Sequence, residues 1–486
     1  MQLKNPLVLA VCLLIMVSTV LASCNPTGSG SNATGEPTEP TADATTEVTT
    51  EATTEATTEA TTEATTEATT EATTEATTGG TEKPPVTTVT HMTAEILAGN
   101  QIIGRLQNDP VTIEIYNGVT IDLHYIGFPT ICKGEGSTLY AVGSARFEHI
   151  DPFGTMVMFE SHDNGATWSE PRVIVDTPLD DRDSGIAYLG NGRILVSWFS
   201  PSAKEFIDGN YAYFLEKRKH VTDEQKQAVY DLYASLSEQE QAAGSWVMLS
   251  EDYGKTWNTP VRVPISAPHG PSVGIDGKTL YYFGHPNNPK AAGAPDVQAG
   301  LLYVYTSADY GKTWQQMSYL TRPLTCYEPH ILQLKDGSFI AAVRADTDKS
   351  NDRTRGMAVY VATSEDGVTW TELTRLTEDM LGGPPHLMQM SNGVVVLTYG
   401  YRESLCGTRA RLSYDGGVTW GKEIILAVSA SSNNTDCGYP STVEIEPGVL
   451  ISAYYQPYSR QDIIQNDKGE LNGSLMYTKW MLTETK

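Results

Sequence analysis

Ser161-His-Asp-Asn-Gly-Ala-Thr-Trp168 is the first of five copies of one short pattern. Three more are Ser250-Glu-Asp-Tyr-Gly-Lys-Thr-Trp257, Ser307-Ala-Asp-Tyr-Gly-Lys-Thr-Trp314 and Ser413-Tyr-Asp-Gly-Gly-Val-Thr-Trp420. Another, Ser364-Glu-Asp-Gly-Val-Thr-Trp370, is one residue shorter. All read Ser-x-Asp-x-Gly-x-Thr-Trp between β-rich runs. The spacing is that of a hairpin turn: Asp bonds to nearby backbone amides, Gly takes a positive φ, and Trp packs back under the turn. The copies start 89, 57, 57 and 49 residues apart. The long first interval holds an insertion at about 203–243, in which Asp223-Glu-Gln-Lys-Gln-Ala-Val-Tyr-Asp-Leu-Tyr-Ala-Ser-Leu has helical spacing. Without it that interval returns to about 50 residues, the length of one repeat unit.

A second repeat counts the units. Short apolar strands follow a Gly turn at Gly136-Ser-Thr-Leu-Tyr-Ala-Val, Gly192-Arg-Ile-Leu-Val-Ser-Trp and Gly277-Lys-Thr-Leu-Tyr-Tyr-Phe. The series continues at Gly337-Ser-Phe-Ile-Ala-Ala-Val, Gly393-Val-Val-Val-Leu-Thr-Tyr and Gly448-Val-Leu-Ile-Ser-Ala-Tyr. Another short apolar strand precedes each one, so every unit reads as an inner hairpin. Six such units predict an all-β, six-bladed propeller over 91–486. Nine residues before these glycines stand Gly127, Asp183, Pro268, Glu328, Pro384 and Tyr439. These are expected to ring the central axis at the start of each inner strand. Three of them can move protons or attack, an asymmetry that scaffolding alone does not require.

The repeated turn is the Asp-box, and the chain resembles the sialidase (neuraminidase) superfamily of β-propellers over nearly all of Asn100 to Thr485. Asp-boxes are turns on the outside of blades, so they identify a scaffold and carry no chemistry. The resemblance implies a Tyr nucleophile activated by Glu, an Asp acid/base, and three arginines that clamp the substrate carboxylate. A neutral Tyr made nucleophilic by Glu avoids the repulsion that a sialic acid's carboxylate would exert on an anionic nucleophile. Tyr439, in Gly438-Tyr-Pro-Ser-Thr-Val, resembles the nucleophile segment, and Glu328, in Tyr327-Glu-Pro-His-Ile-Leu-Gln-Leu, its partner. Arg344 follows on the adjoining strand at nearly the family's spacing. Another clamp residue falls within Tyr399-Gly-Tyr-Arg402 and Gly407-Thr-Arg409-Ala-Arg411. Arg409 is favoured, Arg402 comes second, and Arg411 is expected to face solvent.

The chain departs from the family near the first inner strand. Where the family has Arg-Ile-Pro this sequence has Gly127-Phe128-Pro129, and Gly cannot imitate a bidentate arginine. Ala145-Arg146 fits the segment that follows, which puts the acid/base near Pro152. Asp151 is the candidate there, with Glu148 and His149 as local rivals. In Asp180-Asp-Arg-Asp183, Arg182 could replace the missing cation or Asp183 could add a carboxylate; the alternative is a charged loop capped by its own backbone. No His/Cys cluster has ligand spacing, so neither metal nor organic cofactor is implied. The expected ligands are sialylated or other acidic glycans. A glycan-binding propeller without catalysis is the alternative that the missing arginine favours.

The N-terminus reads as a targeting segment. Lys4 precedes the apolar run Leu7 to Val20, and Leu21-Ala22-Ser23-Cys24 resembles a bacterial lipobox with lipidation at Cys24. A plain secretory signal is the alternative. Residues 25–90 form a linker dominated by Thr-Thr-Glu-Ala repeats, with little apolar surface and regular negative charge, and should be a self-repelling tether. A lipid-anchored, extracellular protein on a bacterial surface is expected, as a monomer. The formal charge of −26 speaks against nucleic-acid binding. Cys132, Cys326, Cys406 and Cys437 could pair in an exported protein or remain buried thiols.

Overall fold

The computed structural model describes residues 91–485 apart from 108, 219, 286–299, 323–324, 347–356, 431–435 and 459–472. The signal segment, Cys24 and the 25–90 linker expected from the sequence lie outside the described residues. Six four-stranded antiparallel sheets follow one another as blades. Blade 1 comprises Tyr125–Lys133, Leu139–Arg146, Thr155–Ser161 and Arg172–Val175. Blade 2 comprises Arg182–Tyr188, Ile194–Ser200, Gly244–Ser250 and Val261–Val263. Ser272–Val273, Leu280–Gly284, Leu301–Ser307 and Gln315–Thr321 make blade 3. Cys326–Gln333, Phe339–Asp346, Met357–Ser364 and Thr374–Arg375 make blade 4. Pro385–Gln389, Val395–Tyr401, Gly407–Ser413 and Ile424–Val428 make blade 5.

Blade 6 is built from both ends of the domain. Gly438–Glu446, Val449–Gln456 and Ser474–Glu484 come from the C-terminal side, and Met92–Gly104 supplies the outer strand. That pairing runs from Met92 opposite Glu484 to Gly104 opposite Leu475, and closes the ring. The core lies between blades rather than within one. Met156 and Met158 of blade 1 meet Ile186, Val196 and Trp198 of blade 2, and comparable apolar seams separate the following blades.

Each Asp-box closes as its spacing predicts. Asp163 accepts from Thr167 N at 2.9 Å and Thr167 Oγ1 at 2.6 Å, while Ser161 Oγ accepts from Gly165 N at 2.9 Å. The same pattern recurs around Asp252, Asp309, Asp366 and Asp415. The hydrogen bonds from Thr167 hold the Asp163 carboxyl down at about 2. The fifth residue of that box, Gly165, has φ 82°, a conformation that a side chain disfavours.

The helical insertion consists of α1 (Ala203–Ile207), α2 (Ala212–Lys217) and α3 (Asp223–Ser235). Thr222 and Gln225 cap α3 reciprocally. Phe206, Phe214, Val229 and Tyr233 pack into one core with Phe153 and with a separate hairpin, Val111–Tyr116 and Val119–Leu123. The insertion therefore roofs the loop that follows the second strand of blade 1.

Cys132, Cys326, Cys406 and Cys437 are buried and form no disulfide among the described residues. Trp480, on the closing strand, is fully buried and donates Nε1 to Ser452 Oγ at 3.0 Å. Trp480→Ala should cost about 3–5 kcal/mol, through lost burial and the cavity left behind. Denaturant unfolding at equilibrium measures it; a loss below about 1 kcal/mol would show that ring closure does not rest on this side chain.

Candidate active site

Four inner strands begin with a non-glycine residue in the left-handed region: Phe128 (φ 55°), Asp183 (57°), Glu328 (52°) and Tyr439 (50°). Each sits in a break of strand register, between Gly127 and Thr130, Arg182 and Gly185, Tyr327 and His330, and Gly438 and Ser441. A bulge re-aims the side chain it carries, and strained backbone of this kind gathers at functional sites. The counted ring is thus corrected in two places. In blade 1 the equivalent residue is Phe128 rather than Gly127, because Gly136 lies one position earlier in its turn than Gly192 or Gly337. In blade 3 the left-handed residue is His269, next to Pro268.

The Tyr439 hydroxyl donates to Glu328 Oε1. Arg344 Nη1 holds the other carboxylate oxygen at 2.6 Å. Burial, then the charges of Glu328 and Asp183, push the Tyr439 phenol well above its ordinary pKa, so it is neutral at rest. Arg402 stands over the Tyr439 ring at 5.9 Å, and its Nε donates to the Cys437 carbonyl at 3.2 Å. Burial lowers the Arg402 pKa, but Tyr455, Tyr439, Cys437 and Glu328 outweigh it and hold the guanidinium charged. Arg409 is turned away. Its guanidinium donates to the carbonyls of Thr408, Ala427 and Leu405, and its Nε lies 3.3 Å from Glu423. The favoured position is corrected accordingly: Arg402 reaches the Tyr439 ring and Arg409 does not. Arg411, expected in solvent, is buried against Asp379 and the Tyr399 hydroxyl.

Asp183 is half-buried, and its carboxyl has no hydrogen-bond partner among the described residues. Burial, reinforced by Glu328, pushes it up to about 7, against the pull of Arg182. Arg182 itself does not fill the vacancy at Gly127. Its Nε donates to Asp180 at 2.7 Å, and it lies over the rings of Phe199 and Tyr211. Tyr125 occupies that space instead: a Cβ at position 127 would come within 2.9 Å of its ring.

Asp151 is also placed differently from expectation. Its carboxyl has 0% exposure and accepts from the amides of Phe147 (3.1 Å), Glu148 (2.9 Å) and Phe153 (2.7 Å). Arg146 lies 3.6 Å away and is itself fully buried, ion-paired with Asp180 at 2.6 Å. Burial raises the Asp151 pKa and Arg146 opposes it. The roof made by the insertion explains this placement, since Phe147 and Phe153 pack edge-on against Phe214, and Glu148 is ion-paired with Arg218. Asp151 organises the loop from within, with none of its carboxyl exposed.

His149 is the loop's exposed titratable side chain. Its Nδ1 lies 2.8 Å from Asp436, which also accepts from Tyr125 (3.1 Å) and Tyr455 (2.8 Å). Phe128 stands between, with ring centroids 5.2 Å from His149 and 5.0 Å from Tyr439. Asp436 belongs to no repeat and had no sequence signal; His149 was visible only as a rival of Asp151.

Beneath the site, His269, His330 and His386 stop the axis, with His330 and His386 stacked at 4.5 Å. His330 Nδ1 accepts from Leu387 N, and His386 Nδ1 from Thr442 N, so each ties its blade to the next. Burial lowers all three pKa values, His330 to about 3. Among the described residues no group of three His, Cys, Asp or Glu is arranged to hold a metal ion.

Residues 220–451 match the family model described as a BNR repeat-like domain. No curated protein matches the chain. Among solved structures, a protein of unknown function from Dyadobacter fermentans superposes with a TM-score of 0.57 at 19% identity, covering 80% of this chain and 99% of that one. The NanB sialidase of Streptococcus pneumoniae gives 0.50 at 14% identity, with 77% and 71% covered. The Trypanosoma rangeli sialidase gives 0.50 at 16%, with 79% of this chain and 60% of that one covered. With its BNR repeat-like domain and six closed blades, the chain shares the β-propeller fold of these sialidases.

Proposed function

We infer that the chain is an exo-acting glycoside hydrolase of sialidase type, which removes a terminal α-linked sialic acid or a related acidic sugar through a tyrosyl intermediate. The observation that carries this reading is the Tyr439–Glu328–Arg344 relay. Glu328 is placed to take the phenol proton as Tyr439 attacks the anomeric carbon, and Arg344 balances the carboxylate on its other side. A binding site has no need of such a pair. Arg402 and Arg344 flank the space over Tyr439 and would hold the sugar's carboxylate. Asp183, protonated below about pH 7, would donate to a sugar hydroxyl. Sequence expectation adds a surface anchor at Cys24 and a tether, which would present the domain to glycans outside the cell.

A glycan-binding role without turnover is the second reading. It is favoured by Tyr125 standing where the first clamp arginine would lie. Release of a fluorogenic aglycone from an α-linked sialic acid separates the two. The parent should turn over, Tyr439→Phe should lose at least ~10³-fold in kcat/KM, and Glu328→Gln about 10²–10⁴-fold. A folded Tyr439→Phe variant that keeps the parent's rate would sink the nucleophile assignment.

Asp183 gives a second prediction. An unfolded Asp titrates near ~3.9, whereas this one titrates at about 7 in the fold. Between those values the native state binds the extra proton, so stability falls as pH rises through the window. Asp176 and Asp181, raised to about 6 and about 8 by burial, add to the same slope. Asp183→Asn should therefore flatten the decline of Tm between about pH 4 and 7 without abolishing it. An unchanged slope would place the Asp183 titration outside that window.

A further inference from the structure

We propose that His149, oriented by Asp436, is the general acid/base of this site, and the proposal rests on the glycosidase reading above. Of the titratable side chains in the loop after Arg146, Asp151 is sealed in and Glu148 is ion-paired with Arg218 under the insertion. His149 alone faces outward, with 42% of its side chain exposed. Its Nδ1 is taken by Asp436, and Nε2 has no partner among the described residues. A carboxylate on Nδ1 fixes the proton there and leaves Nε2 as the nitrogen that exchanges protons. Burial works against ionisation of Asp436, but His149, that hydrogen bond and Tyr455 hold its pKa below the usual carboxylate range, so the acceptor stays anionic. Phe128 is the floor between the imidazole and the Tyr439 ring, about 5 Å from each. A sugar resting there would have the Tyr439 ring on one side and the imidazole on the other.

Protons and bonds balance over two steps. In the first, the Tyr439 oxygen bonds to the anomeric carbon and its proton passes to Glu328. The bond to the aglycone breaks as the Nε2 proton of the imidazolium moves to the departing oxygen. In the second, water attacks the same carbon and gives its proton to neutral Nε2. The bond to Tyr439 breaks, and the phenolate recovers its proton from Glu328. The sum is glycoside plus water to free sugar plus aglycone, with every side chain returned to its starting state. Asp436 never touches the reacting atoms and is a positioning residue.

The test compares two substrates that differ only in leaving group, the 4-nitrophenyl α-glycoside of N-acetylneuraminic acid and sialyllactose. The purified full chain is assayed as parent, His149→Asn and Asp436→Asn. Asn at 149 can keep a donor for Asp436, so the local fold is retained while the proton-exchanging nitrogen is lost. His149→Asn should lose about 10²–10⁴-fold in kcat/KM on sialyllactose and under about tenfold on the aryl glycoside, which needs no acid. Azide should raise aryl turnover by the variant, with glycosyl azide as product, because an anionic nucleophile needs no base. Asp436→Asn should show the same leaving-group signature, more weakly. Equal losses on both substrates, or none, would overturn the proposal while leaving Tyr439 and Glu328 in place. A parent inactive on both, with Tyr439 never labelled by a fluorinated sialyl fluoride, would remove the glycosidase reading and this assignment with it.

Discussion

A strand that starts in the left-handed region turns its first side chain out of the sheet, and the site depends on four strands that do so. Phe128, Asp183, Glu328 and Tyr439 share that backbone and those two-residue register breaks, although two are aromatic and two are carboxylic acids. Such a conformation costs a non-glycine residue of order 1–3 kcal/mol, so it persists only where the surroundings over-determine it. Those surroundings are the next layer down. Thr130 and Ser441 hydrogen-bond across neighbouring blades, and His330 and His386 each take an amide from the following blade. Neutral imidazoles suit this buried stopper because they accept from one blade without bringing in a charge that would need a partner. The ring of blades is thereby stiff at the height where the relay has to be positioned.

A second organising element is Asp180. It takes both Arg146 and Arg182, which leaves those two guanidiniums paired and buried. A buried carboxylate between two arginines is stable only as a complete set, because removing one member strands a charge. The insertion is part of the same arrangement. Its helices cover Phe147 and Phe153 and supply Arg218 to Glu148, which leaves one outward-facing imidazole in a loop of three candidate acids and bases. The inserted residues thus decide which group of the blade 1 loop can meet a ligand.

The fold was legible because its signals were local and repeated. Ser-x-Asp-x-Gly-x-Thr-Trp fixes its own hydrogen bonds within eight residues, and six Gly turns of one spacing count the blades. That Tyr439 and Glu328 share one end of the ring was legible for the same reason, since each sits at a repeat position, whereas Arg344 was read from the spacing of the family that the chain resembles. What sequence could not supply is direction and cover. Arg402 and Arg409 lie seven residues apart in one stretch, and only the strand pairing of Arg409 with Tyr399 and Ile425 turns its guanidinium toward the blade's outer carbonyls. Asp151 looked available until the insertion, more than fifty residues downstream, was folded over it. Asp436 stands three residues before Tyr439, in a segment without periodicity, and acquires its role through Tyr125, His149 and Tyr455 from two other strands and a loop.

These placements also order the ligand space by charge. Arg344 and Arg402 bring positive charge from blades 4 and 5, and Asp436 sets a carboxylate on the far side of Phe128. An acidic sugar entering such a field is driven to one orientation, with its carboxylate toward the arginines and its uncharged substituents over the phenyl ring. In the proposed mechanism the aglycone would then leave on the side of His149, where the imidazole is held by Asp436. Loss of the arginine at position 127 is on this reading no simple deletion. Tyr125 and Asp436 hydrogen-bond in that corner, which in the proposed mechanism would support a proton-transfer group in place of a carboxylate clamp, and Gly127 leaves Tyr125 the room to reach it.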